Sequence, residues 1–421
     1  MQYLRFAAAF TLTIGLSASA RAQERPNVVL IVADYMGYGD IGPYGATDIR
    51  TPSLDRLARS GVRFTNAYAP APICSPSRVG LLTGRYPQRA GFNENVGGPG
   101  RPPGLPTSET TIARPLKDSG YTTALFGKWH LGLEPAYSPN QHGFEEFFGF
   151  LDWSIDYYSH RTEAGAPGLY ENGTPVEVEG YATELFTDRA VAFIERNRER
   201  PYFLYVAYNA ALPPHQPPNR PDDVRSAETW FHGTREDYIE VVEALDTGIG
   251  RILDAVDRET LVIFTYDHGG KELGRTTPLF HGFRTLWEGG IRVPLIMSWP
   301  GKIPSGLVSE QLSINMDLSA TILAAARISS NRELDGIDLI PILEGKMPPT
   351  ERTLFWRTDY PAYKQRAVRR GRYKYLVDDT TYFLFDLEAD IGERNNLAHR
   401  QPEILEELQD ALARWEGSVS P

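Results

Sequence analysis

The sequence predicts an α/β fold: a large, mostly parallel sheet sandwiched by helices, followed by a small C-terminal α+β subdomain. Three observations predict it. Residues 27–33 (NVVLIVA) and 260–266 (TLVIFTY) are almost unbroken apolar runs, as strands covered on both faces require. Strand-like and helix-like segments alternate between and around them. Past about residue 345 the pattern changes to short alternating strands and one amphipathic helix.

In chain order, residues 1–5 are a short basic start and 6–20 an apolar, small-residue run. Ala20-Arg21-Ala22 then offers small residues at the positions a signal peptidase reads. A signal peptide over 1–22 is therefore expected, and with it a periplasmic or secreted protein without a transmembrane anchor, because no later stretch is apolar for long enough. Thr51-Pro52 opens a helix that Gly61 closes. A helix over 109–119 leads into a strand over 121–127. A helix over 182–198 precedes a strand over 202–208, and a long amphipathic helix fills 235–256. Gly/Pro-rich loops occupy 97–106, 213–221 and 299–306. Residues 23–345 are read as the main domain. In 346–421, four short strands near 354–356, 366–369, 373–377 and 382–386 precede a helix over 402–415.

The chain has 421 residues with 43 Lys+Arg against 54 Asp+Glu, a net charge of −11. With 41% hydrophobic and 23% charged residues it is globular, not disordered. The acidic balance argues against nucleic acid as the partner, since that needs dense Lys/Arg surfaces. One cysteine, Cys74, excludes an intrachain disulfide and a Cys-based zinc cage.

Polar residues collect just past the apolar strands: Asp34 after the first, Lys128 and His130 after 121–127, His215 after 202–208, and Asp267-His268 after 260–266. Ligands of open parallel sheets bind at the carboxyl ends of strands, so these groups should converge on one rim. Lys128 and His130, two apart, should share a strand face.

Cys74 lies in Ile73-Cys74-Ser75-Pro76-Ser77-Arg78, followed by Leu81-Leu82-Thr83-Gly84-Arg85. Cysteine with Pro two residues on and Arg four on is the recognition pattern for conversion to formylglycine. Together with DYMGYGD (34–40), TPSLDRLA (51–58), GKWHLG (127–132), Pro214-His215, Asp267-His268-Gly269 and EGGIRVP (288–294), the chain resembles the type I sulfatases of the alkaline-phosphatase superfamily.

The resemblance implies an alkaline-phosphatase-like sheet and hydrolysis of sulfate monoesters, with a sulfated carbohydrate as substrate. The nucleophile would be the hydrate of a formylglycine made from Cys74 by a formylglycine-generating enzyme. It implies Ca2+, or alternatively Mg2+, on Asp34, Asp267, His268 and the Cys74-derived oxygen; oxygen donors suit those ions. Arg78 would hold the diol, Asp267 would act as base toward it, Lys128 and His215 would bind sulfate and assist the leaving oxygen, and His130 would take the proton on sulfate release. Ser159, His160 and Arg284 are candidate substrate contacts. A phosphodiesterase or phosphonate monoester hydrolase, or a non-catalytic glycan-binding relative, would share the scaffold.

Two positions depart from the family pattern. Tyr35 stands where a second Asp is usual. The segment before Glu288 is a residue short, so that Arg284 replaces a Lys, a fork for a point charge. The basic run 364–374, with Arg366, Arg369, Arg370 and Arg372, would either rim a groove for a polyanion or be a solvated hairpin face.

Overall fold

The computed structural model describes residues 25–360 and 363–419, so the expected signal peptide lies outside the described residues. The strands are β1 (Asn27–Ala33), β2 (Val62–Phe64), β3 (Ala67–Tyr68), β4 (Thr122–Lys128), β5 (Glu146–Phe150), β6 (Leu169–Glu171), β7 (Thr174–Pro175), β8 (Tyr202–Ala207), β9 (Thr260–Tyr266), β10 (Leu295–Ser298), β11 (Leu307–Ser309), β12 (Ser313–Ile314), β13 (Thr353–Tyr360), β14 (Tyr363–Arg370), β15 (Tyr373–Asp378) and β16 (Thr381–Asp386). Ten of them form one sheet in the order β11-β2-β10-β9-β1-β8-β4-β5-β6-β7. Its centre, β9-β1-β8-β4-β5, is parallel throughout, and antiparallel strands flank it.

The two-sided burial inferred for β1 has a direct cause. Val29, Ile31 and Ala33 enter one hydrophobic core with Leu54, Phe186 and Val241, from the helices Pro52–Ser60, Ala182–Arg196 and Arg235–Ala255. Val28, Leu30 and Val32 enter the other with Val79, Leu116 and Leu318, from the helices Cys74–Thr83, Ala113–Asp118 and Met316–Ala325. Period-2 side-chain alternation thus feeds a separate core on each face.

The helix expected over 109–119 is confined to Ala113–Asp118: Pro115 sits in its first turn, and the residues ahead of it turn instead of coiling. Strands β13–β16 form a four-stranded antiparallel meander, and the helix Pro402–Val419 packs on it. A third core ties this layer to the main sheet, with Trp356, Leu376 and Trp415 against Tyr68, Leu286 and Ile291. Among the described residues no helix is long and apolar enough to cross a membrane.

Candidate active site

The parallel register decides where the polar residues go. Ala33 pairs with Tyr266 between β1 and β9, and Gly127 with Ala207 between β4 and β8. The next residues, Asp34, Asp267 and Lys128, therefore leave the sheet at the same rim. The helix Cys74–Thr83 starts at that rim with Cys74 as its first residue, and all ten of its residues are buried. Pro76 is tolerated because the first turn has no intrahelical N–H bonds to lose. Ser77 Oγ donates to the Asp267 carbonyl, and Ser75 Oγ donates to the His130 carbonyl at 2.7 Å. The two serines of Cys-Ser-Pro-Ser-Arg thus fasten the helix to both neighbouring loops.

Arg78, one turn along, organises the carboxylates. Its Nε donates to Asp267 Oδ2 (3.0 Å), one Nη to Asp34 Oδ2 (3.0 Å) and the other to the Lys128 carbonyl (3.0 Å). Lys128 Nζ donates to the same Asp34 Oδ2 at 2.7 Å. The remaining oxygens, Asp34 Oδ1 and Asp267 Oδ1, are buried and lack hydrogen-bond partners. His268 Nε2 lies 3.4 and 3.5 Å from them and 3.2 Å from Cys74 Sγ. These four donor atoms lie within 4.8 Å of one another.

Two carboxylate oxygens facing each other out of water demand positive charge; against the effect of burial, they raise the His268 pKa well above its ordinary value, and a divalent cation would meet the same demand. His268 Nδ1 is 2.9 Å from the Gly269 carbonyl, which fixes its proton there and leaves the Nε2 lone pair for a metal. The donor set fits a divalent cation, and Cys74 Sγ occupies the position of the oxygen that modification would introduce.

Burial works to raise the Asp34 pKa, but Lys128, with His268 and Arg78, holds it well below the ordinary carboxylate range. Asp267 is raised by burial and by the Asp34 charge. His130 is held well below its ordinary value by burial and by the Lys128 and Arg78 cations, so its imidazole is neutral.

Lys128 and His130 do not share a strand face. β4 ends at Lys128, and His130 has φ 54°, a left-handed turn beyond the strand. That turn, held by Ser75, rather than strand alternation, brings His130 into a cavity of about 690 Å3 shared with Cys74, Tyr35 and Arg284. His215 sits in an adjoining cavity of about 100 Å3, next to Tyr35 and Phe231, and burial lowers its pKa to about 4. Ser159 and His160 are a correction: they line a separate cavity of about 230 Å3 beside Pro167 and Val176, and neither reaches the Cys74 cavity. The loop turns on its own backbone, with Asp156 N–H donating to the Arg161 carbonyl and His160 N–H to the Asp156 carbonyl, and His160 Nε2 pairs with the Gly180 carbonyl (3.1 Å).

Tyr35, at φ 58°, packs edge-on against His268 (5.2 Å) and at a tilt against Phe283 (4.6 Å). Arg284, also left-handed at φ 70°, lies 4.4 Å over the Tyr360 ring and donates to its hydroxyl (2.6 Å).

Most of the basic run is neutralised or buried, and Arg370 stays half-exposed, 3.9 Å from Glu407. Arg366 pairs with Asp359 and Glu416, Arg372 with Asp386, and Arg369 and Lys374 are buried. Lys374 bridges Glu288 (2.9 Å) and Glu393 (2.8 Å), so the Glu-Gly-Gly segment is an anchor for the C-terminal layer. A Cβ on Gly269 would stand 1.9 Å from the Gly289 carbonyl, so close packing of the two loops requires glycine there.

The segment 152–161, where the sulfatase resemblance places pocket walls, brings Asp152 and Trp153 to the Cys74 cavity, whereas Arg101, Phe231 and Lys271, which also line it, were not singled out from sequence. These three come from separate loops, and no local pattern marks them. A larger cavity of about 940 Å3, beside Pro26 and Arg258, holds none of the rim residues.

The family model described as Sulfatase matches residues 26–328, and that for the C-terminal region of N-sulphoglucosamine sulphohydrolase matches 279–417. The chain is 36% identical to N-acetylgalactosamine-6-sulfatase of Canis lupus familiaris over 86% of its own length and 73% of the relative's. It is 34% identical to arylsulfatase A of Bos taurus, over 97% and 90%. The crystal structure of Ps i-CgsB superposes with TM-score 0.85 at 32% identity, covering 93% of both chains, and the same protein has been crystallised with k-i-k-neocarrahexaose.

Proposed function

The chain belongs to the sulfatase family and is a sulfuric ester hydrolase, and on that premise we propose that it hydrolyses sulfate monoesters of a carbohydrate with an oxygen nucleophile made from Cys74. The observation that carries this reading is the pair of orphaned oxygens, Asp34 Oδ1 and Asp267 Oδ1, facing the first residue of the Cys74 helix. The carbohydrate substrate is supported by the relatives, one named for N-acetylgalactosamine 6-sulfate chemistry and one crystallised with an oligosaccharide.

Asp34, Asp267, His268 and the Cys74-derived oxygen would hold a divalent cation, calcium by family precedent. That ion would supply charge neutralisation and Lewis acidity toward the sulfate oxygens. Arg78 orients both carboxylates by their outer oxygens, and its charge is shared between them. Asp267 takes the proton of the attacking hydroxyl on the formylglycine hydrate. The hydrate oxygen bonds to sulfur as the sulfur–oxygen bond to the sugar breaks, and the sugar oxygen takes a proton relayed from solvent through His215.

Lys128, tethered to Asp34, supplies fixed positive charge for the transferring sulfate, and such preorganised charge is commonly the largest catalytic term. His215 borders the leaving side as a neutral imidazole and assists as a hydrogen-bond donor. Neutral His130 accepts the proton of the second hydroxyl as sulfate is expelled and the aldehyde returns. Maturation requires a formylglycine-generating enzyme, and the leader-like residues 1–22 support export to the periplasm or medium.

Mass spectrometry of the peptide spanning Cys74, on enzyme made in a host competent for the modification, tests the nucleophile. Aldehyde or hydrate is expected, and an unmodified thiol in fully active enzyme would overturn it. Parallel turnover of aryl sulfate and aryl phosphate diester separates sulfatase from phosphodiesterase.

A further inference from the structure

Part of the Cys74 cavity wall is aromatic. Trp153 and Phe231 lie nearly parallel, 5.9 Å apart at 11°. Phe231 is 51% exposed and stands at the solvent edge of the pair, while Trp153 is half-buried and lines the cavity. The pair is held from behind: Trp153 packs on Trp230 (6.2 Å), which is 1% exposed, and Lys271 Nζ sits 5.2 Å from the Phe231 centroid. Beside this wall, one oxygen of Asp152 accepts the Trp153 backbone N–H at 2.6 Å. Its other oxygen has no hydrogen-bond or ion-pair partner among the described residues. Arg101, on the same cavity, likewise has no carboxylate partner among them.

A flat ring fixed next to an orientated carboxylate matches one chemistry well. Pyranoses carry an apolar C–H face, which packs on aromatic rings, and vicinal hydroxyls, which donate to carboxylates. The cavity, at about 690 Å3, is far larger than a sulfate group needs and falls in the usual range for organic ligands.

We propose that Trp153, backed by Phe231 and Trp230, and Asp152 form the subsite for the sugar that carries the sulfate, the ring stacking on Trp153 and its hydroxyls donating to Asp152. This rests on the carbohydrate sulfatase reading and adds the residues that select the sugar. The subsite binds a hydroxyl-bearing pyranose, and Arg101 is placed to meet an acidic group on that sugar or its neighbour.

The test uses metal-loaded, modified full-length enzyme and the best substrate from a panel of defined sulfated mono- and disaccharides. Trp153→Ala and Asp152→Asn should each raise KM by about tenfold or more, and Trp153→Phe should recover most of the loss. The inhibition constant of inorganic sulfate should stay within about twofold of wild type, because the sulfate contacts lie elsewhere; a merely structural collapse would move both. Unchanged KM in Trp153→Ala overturns the subsite, as does a parallel rise in the sulfate inhibition constant. Wild-type enzyme that turns over aryl sulfate but no sugar sulfate overturns the carbohydrate reading, and the subsite with it.

Discussion

Arg78 donates to Oδ2 of Asp34 and leaves Oδ1 of the same carboxylate without a protein partner. The same division holds at Asp267, so a single planar fork turns one oxygen of each acid toward the metal-competent cluster. A lysine offers one point of attachment and cannot serve both acids and the Lys128 carbonyl together.

Arg78→Lys should therefore lower calcium retention as well as activity, with kcat down by about 100-fold or more, as for loss of a preorganised charge-stabilising group. Elemental analysis after gel filtration, alongside steady-state kinetics, checks both halves. Full calcium occupancy with an equal loss of kcat would place Arg78 on the nucleophile rather than on the ligands.

Tyr35 stands beside the candidate ligands, its ring against that of His268. Burial, then the negative charges of its neighbours, hold its phenol well above the ordinary value, so it contributes no charge to a cation. Tyr35→Asp should tighten calcium binding by about tenfold or more, since affinity rises with ligand charge and count. The left-handed φ of 58° also suits Asp better than Tyr. Titration calorimetry on both proteins measures it, and equal affinity would mean that the new carboxylate does not reach the ion.

A neutral His130 extends activity to acid pH. A base works above its pKa, and that of His130 is depressed by burial and by Lys128, so no loss is expected on passing down through the ordinary histidine value of 6.5. The kcat profile should stay flat from pH 7 to about pH 5.5. His130→Ala should lower kcat by roughly 100-fold and build up the sulfated enzyme, visible by mass spectrometry as an adduct on the peptide spanning Cys74.

Glu393 gives the C-terminal layer a pH dependence of stability. Burial raises its pKa from 4.5 to about 7, despite Lys374. A raised acid favours the folded state below its unfolded pKa, and that contribution is lost as pH climbs through the folded one. Stability from this group therefore falls between pH 4.5 and about 7 and is level above. Glu288 runs the other way: it is depressed to about 2 against burial, by Lys374 and Arg292, and loses its contribution on acidification from 4.5 downward. Glu393→Gln should flatten the decline in Tm from pH 5 to pH 7.5 by a few degrees, read by scanning calorimetry.

The paired basic strands lead to a plain expectation. Arg366→Ala and Arg372→Ala should leave the ionic-strength dependence of kcat/KM unchanged, because internal carboxylates already neutralise these cations. A weakened salt dependence in either variant would restore the groove along this hairpin.

The sequence by itself determined the sheet and the donors. Apolar runs such as 27–33 and 260–266 can be satisfied only by burial on both faces, and residues that end parallel strands must emerge at one rim. Asp34, Lys128 and Asp267 were legible for that reason, and Cys74 and Arg78 through the sulfatase-like motif that holds them; the helix they share came from the structure. Tertiary structure alone decided the rest. His130 reaches the cavity through a left-handed turn, which strand periodicity misplaces on a shared face. Ser159 and His160 line another cavity because their loop closes on its own backbone through Asp156 and Arg161. The Trp153–Phe231 wall and the Glu288–Lys374–Glu393 bridge join residues tens of positions apart in the chain. Local pattern records which face a side chain leaves by; which distant partner meets it there depends on how the loops pack.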